Sequence, residues 1–140
     1  MNILQIVIMI FVVIECLNIM ILYGKPSSKI GNGVGVFNDY DQFKDDAFVR
    51  YLINWVAGTK LIFIMLGIVI VIFGDEKVQL YSVIALILSI LSFYFRLFPI
   101  IKTLDQKGKI TPKGYAKTLN MMIIGFLMMF AVALGIYFIV

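Results

Sequence analysis

Three ionisable side chains, Glu15, Lys60 and Arg96, lie inside long apolar stretches of a 140-residue chain. A charge placed in hydrocarbon is costly, and residues of this kind face a bundle interior or a water-filled cavity, usually with a partner. One acid and two bases support two kinds of chemistry. They can neutralise one another as a structural pair, or the carboxylate can take up and release a proton or cation. Lys60 and Arg96 have stems long enough to snorkel to headgroups. Glu15 has not, so it must be paired, protonated or hydrated from a cavity.

Four apolar runs position these groups, at 3–23, 48–73, 78–101 and 115–140. Crossing a hydrocarbon core takes about 20 mostly apolar residues in a helix, and each run is long enough. Hydrophobic residues make up 62% of the chain and charged ones 14%, with a mean hydropathy of +1.03. A soluble domain averages about 45–50% apolar residues, so a water-soluble fold is excluded. The runs lack strict alternation and exceed barrel-strand length, which predicts helices. The expected fold class is an all-α membrane protein, a four-transmembrane-helix bundle forming a single domain over 1–140. The first run has no basic leader and no small-residue cleavage site, and Glu15 and Asn18 interrupt it. It reads as a retained helix, not a signal peptide.

Basic residues predict the orientation. The first loop, 24–47, and its flank carry Lys25, Lys29, Lys44 and Arg50. The third, 102–114, and its flank carry Lys102, Lys107, Lys109, Lys113 and Lys117. The turn at 74–77 has Lys77 alone. The positive-inside rule puts the two basic loops in the cytoplasm and both termini outside. Trp55, Tyr51, Tyr23 and Tyr115 fall near the cytoplasmic ends, where interfacial aromatics belong. Thr111-Pro112 reads as an N-cap followed by proline at the start of the fourth helix, and Pro99 predicts a kink or early end of the third.

At a rise of about 1.5 Å per residue, Glu15 lies roughly 12 Å inside the cytoplasmic boundary, Lys60 and Asn120 about 7–8 Å and Arg96 about 9 Å. Four helices thus offer polar groups at similar depth. On the third helix Ser82, Ala85, Ser89, Ser92, Arg96 and Pro99 recur at steps of three and four and share a stripe. On the second, Ala57, Lys60, Ile64 and Gly67 do the same, and on the first Glu15 and Asn18 share a face. The expectation is that these stripes point inward and meet. Small residues allow close helix approach, so a Ser/Ala stripe is first a packing device. The candidate binding or coupling residues are Glu15, Asn18, Lys60, Ser89, Ser92, Arg96 and Asn120.

The loops carry weaker signals. Gly31-Asn32-Gly33-Val34-Gly35 has glycines suited to a phosphate nest. It lacks the Gly-Lys-Ser/Thr of a P-loop, and a turn or short hairpin is the favoured reading. Asp39-Tyr40-Asp41 has the form of a metal-nucleotide D-x-D, but Asp39, Asp41, Asp45 and Asp46 match no calcium-loop spacing. A helix starting near Asp41 is expected to run into the second span. His is absent, and with it the commonest metal ligand. No metal, cofactor or catalytic residue is expected, and the net charge of +4 is read as topology, not nucleic-acid binding. The expected partners are the bilayer, anionic headgroups at the basic loops, and a second copy or a membrane protein. Cys16 has no partner for an intrachain disulfide.

Four short spans with Glu15 in the first resemble the architecture of small multidrug-resistance exporters. That likeness implies an oligomeric, proton-coupled transporter with Glu15 as the coupling carboxylate. The strong Lys/Arg bias departs from those exporters, whose nearly balanced charge often permits antiparallel dimers. Three functions follow from the residues, in order of preference: a non-catalytic membrane module (accessory, assembly or lipid-contacting), a small coupled transporter using Glu15, and an intramembrane enzyme clamping a lipid phosphate between Lys60 and Arg96. Ten Lys against two Arg, with abundant Ile, point to an AT-rich prokaryote and its cytoplasmic membrane.

Overall fold

Asn2 starts the first helix. Its side chain accepts from Gln5 N at 2.8 Å, covering one of the backbone donors a helix start leaves unpaired. Helix α1 then runs over Ile3–Gly24. Its buried residues, Leu4, Val7, Ile8, Phe11, Val12, Glu15, Ile19 and Leu22, recur at helical spacing and form a single stripe. The computed structural model describes residues 1–140. A 3₁₀ turn at Val34–Val36 and a single helical turn, α2 (Tyr40–Phe43), interrupt the first loop. The longer helices are α3 (Ala47–Phe73), α4 (Glu76–Leu91), α5 (Phe93–Gln106) and α6 (Tyr115–Ile139). With α4 and α5 taken as one stretch, the chain has four helices long and apolar enough to span a membrane. They suggest a multi-pass membrane protein.

Helix α1 is the centre of the bundle. It packs on α3, α4 and α6, while α3 and α4 touch little beyond their connecting turn. Phe11 marks the midpoint, edge-on to Phe63 of α3 and to Phe126 and Phe130 of α6 at centroid distances of 5.7, 5.2 and 5.4 Å. Edge-to-face pairs add about 0.5–1.5 kcal/mol beyond area burial. Only 20 of 140 residues are buried, so most of the apolar surface of α3 to α6 faces outward. Apolar surface on that scale suits lipid, not water.

The two ends of the bundle are tied differently. At the end carrying both termini, Asn2 Nδ2 donates to Gln79 Oε1 at 2.7 Å, Gln79 Nε2 donates to Gly74 O at 2.8 Å, and Gln5 Nε2 donates to Val71 O at 2.7 Å. At the other end the first and third loops close on each other. Thr111 N donates to Val36 O at 2.7 Å, Asn38 N to Lys109 O at 3.0 Å and Asn38 Nδ2 to Gly108 O at 2.7 Å, around an isolated bridge between Phe37 and Ile110. Beneath these bonds Val36, Ile101, Ile110 and Ala116 form a second small core.

Several expectations are corrected. The third span breaks at Ser92, not at Pro99, and the helix continues through Pro99 to Gln106. Ser92 Oγ donates to Ser89 O at 2.6 Å, a local bond that competes with the helix ladder. Gly108, at φ 67°, closes α5 in a left-handed turn. The fourth helix is not opened by Thr111-Pro112, which is cis. It starts at Tyr115, where the Asp105 carboxylate accepts from Gly114 N at 3.0 Å and Ala116 N at 2.9 Å. No helix runs from Asp41 into the second span. Asp46 Oδ1 caps α3 by accepting from Phe48 N at 2.7 Å and Val49 N at 3.2 Å.

Candidate functional site

Glu15 falls between Val12 and Ile19 on the buried stripe of α1, and is itself 8% exposed. On α3 the buried residues are Ala57, Ile64 and Gly67, so Lys60 completes that stripe at steps of three, four and three. The two stripes face each other, and Lys60 Nζ donates to Glu15 Oε2. The lysine side chain keeps 26% of its surface exposed, against 11% for the glutamate. Close approach of α1 and α3 makes the pair possible. A Cβ added at Gly67 would stand 2.5 Å from Val12 Cγ2, so only glycine lets the backbones meet there.

The pair lies on the wall of a cavity of about 540 Å³ between α1, α3, α5 and α6. Asn18 lines the same cavity one turn from Glu15. The rest of the wall is mainly apolar, with Leu22, Ile53, Phe93, Leu119, Ile123 and Phe126 among its residues. First-loop residues Asn32, Gly33, Val34, Val36 and Phe37 contribute one boundary, and there Val36 is 1% exposed. Leu52, Val56, Leu97, Ile100 and Met122 line the cavity and are exposed. They mark a lateral opening between α3 on one side and α5 and α6 on the other.

The other candidates stand elsewhere. Arg96 is exposed and takes part in neither ion pair of the chain, which are Lys60–Glu15 and Lys109–Asp39. The stripe from Ser82 to Pro99 divides. Ser82, Ala85 and Ser89 line a separate cavity of about 190 Å³ with Ile8, Phe11 and Val12 of α1 and Phe63 and Gly67 of α3, whereas Ser92, Arg96 and Pro99 are exposed and line neither cavity; the residues that α4 buries are Gln79 and Val83. Steps of three and four show that residues share a face, while packing decides which face turns inward. Asn120 accepts from Tyr94 Oη at 2.8 Å, tying α5 to α6 apart from the glutamate. The polar layer is therefore two separate links.

Sequence reasoning missed Tyr94, Gln79 and Asp105. Each had a signal: a phenol in an apolar run needs a partner, Gln79 is a lone amide near the start of its run, and Asp105 is the single acid of the basic third loop. The glycine-rich segment makes a fold-back. Gly33 N donates to Ile30 O, Val34 N to Pro26 O and Gly35 N to Ser28 O, so these donors turn inward instead of forming an anion nest. A Cβ at Gly35 would lie 1.8 Å from Ser27 O.

No family model, curated protein or solved structure matches this chain.

Proposed function

We propose that the chain is a non-catalytic multi-pass membrane module, with Glu15 and Lys60 clamping its central helix to α3 beside a lipid-side cavity. The observation that carries this is the pairing of a buried carboxylate with one cation on the facing stripes of two helices that also meet closely at Gly67 and Val12. By the positive-inside rule the loop end, with nine Lys and Arg in the two loops and their flanks, faces the cytoplasm, and both termini face outward. A prokaryotic cytoplasmic membrane is the proposed home, and anionic headgroups are the proposed contacts of the basic loops.

A charge swap tests the clamp. Glu15→Lys or Lys60→Glu alone places like charges against each other, and removing one partner of a buried pair costs about 3–5 kcal/mol. The double variant restores an opposite pair and is expected to recover most of the thermal stability in nanodiscs. A double variant no more stable than either single overturns the clamp.

A second reading has one observation in its favour: the carboxylate lines a cavity. If Glu15 is the coupling group of a small transporter, Glu15→Gln abolishes proton-linked flux in liposomes while the protein remains folded. Wild-type flux that survives this substitution removes that reading.

A further inference from the structure

We propose that the cavity beside Glu15 and Lys60 binds an uncharged, single-tailed amphiphile. Its oxygen-bearing head contacts Lys60 and Asn18, and its tail follows the apolar wall toward the lateral opening. This deepens the module proposed above and rests on its bilayer setting.

Size, polarity and access lead to this ligand class. Small-molecule sites span about 300–1,000 Å³ and combine a mostly apolar lining with a few placed polar groups. The volume here, about 540 Å³, lies within that range and suits one tail better than two. The polar end is an ion pair with no net charge. Lys60 gives one ammonium hydrogen to Glu15 and keeps two further donors. Asn18 adds an amide on the same wall. An ester carbonyl or hydroxyl meets those donors without bringing a charge. A carboxylate or ammonium head would leave a net charge against apolar walls, which is expensive.

Access is lateral. On the loop side, Val36 is held by Thr111 N, and the Phe37–Ile110 bridge joins the two loops over it. On the lipid-facing side Leu52, Val56 and Met122 are exposed around the opening. A molecule dissolved in the bilayer reaches the cavity through that gap with its tail already in hydrocarbon.

The test uses the full chain in phosphatidylcholine nanodiscs and a monoacylglycerol with a photoactivatable diazirine in its tail. Labelled peptides are mapped by mass spectrometry. Labelling is expected at α3 and α6 residues of the cavity wall and is displaced by glycerol monooleate, with oleate and oleylamine weaker. Ile123→Trp fills the cavity and is expected to cut this labelling about tenfold, equivalent to about 1.4 kcal/mol of affinity. Val132→Trp, at an exposed position outside the cavity, leaves labelling unchanged. Leu119→Phe replaces Ile123→Trp if the latter does not fold. Asn18→Leu weakens competition by glycerol monooleate about fivefold, as expected for one lost hydrogen bond. Equal labelling of wild-type and filled protein overturns the site, and stronger competition by oleate or oleylamine overturns the uncharged head. The clamp fails by a different readout, the thermal stability of the charge-swapped protein, so the two failures are distinguishable.

Discussion

Gly67→Ala is the sharpest probe of the helix contact that makes the ion pair possible. The new methyl would sit 2.5 Å from Val12 Cγ2, whereas carbon atoms prefer separations of about 3.5–4.0 Å. The shortfall is roughly 1 Å or more. Valine cannot easily relieve it, because a β-branched side chain has one strongly preferred rotamer in a helix. The backbones of α1 and α3 must therefore separate. Lys60 lies seven residues from Gly67 on the same face, about 10.5 Å along the axis, so the separation also strains its bond to Glu15. Overpacking costs typically 1–3 kcal/mol, and the upper half of that range is expected here. Thermal unfolding in nanodiscs, with Val12→Ala as the second arm of a double-mutant cycle, measures it. Val12→Ala removes both γ-carbons and should make Gly67→Ala tolerable, giving a favourable coupling of about 1 kcal/mol or more. A neutral Gly67→Ala, or strictly additive effects, would refute close approach at this position.

Other expectations follow from the same contacts. Lys60→Gln should destabilise the fold by about 3 kcal/mol by leaving Glu15 without its cation, whereas Arg96→Gln should stay within about 0.5 kcal/mol; denaturation of the two variants side by side separates them, and a reversed order would assign Glu15 to the wrong base. Asp105→Ala removes the acceptor shared by Gly114 N and Ala116 N, and a loss of about 1 kcal/mol should appear as faster amide exchange at the start of α6. Gly35→Ala drives a methyl into the Ser27 carbonyl, so the first loop should become protease-sensitive while the spans stay intact; unchanged cleavage would count against the fold-back.

The location of the helices was legible because its cause is local. A run of about 20 apolar residues must satisfy its own backbone in hydrocarbon, and the ranges 3–23, 48–73 and 115–140 differ from α1, α3 and α6 by a residue or so at their ends. The inward stripe of Ala57, Lys60, Ile64 and Gly67 was legible for a related reason: the small residues that permit contact and the charge that needs shelter share one face. Helix boundaries in the third run and in both loops were not, because Ser92, Asp46 and Asp105 set them through particular side-chain hydrogen bonds.

From residue types and order alone come the apolar spans, the basic loops and an acid that demands a partner. Tertiary structure alone chose Lys60 over Arg96, set Ser82 and Ser89 on a cavity apart from the pair, and left a second cavity beside it. Periodicity places residues around each helix, but the rotation of one helix against another is set by packing summed over the whole contact. The lack of a side chain at Gly67 and the burial of Val83 are parts of that sum, and its outcome fixes which charge the glutamate meets.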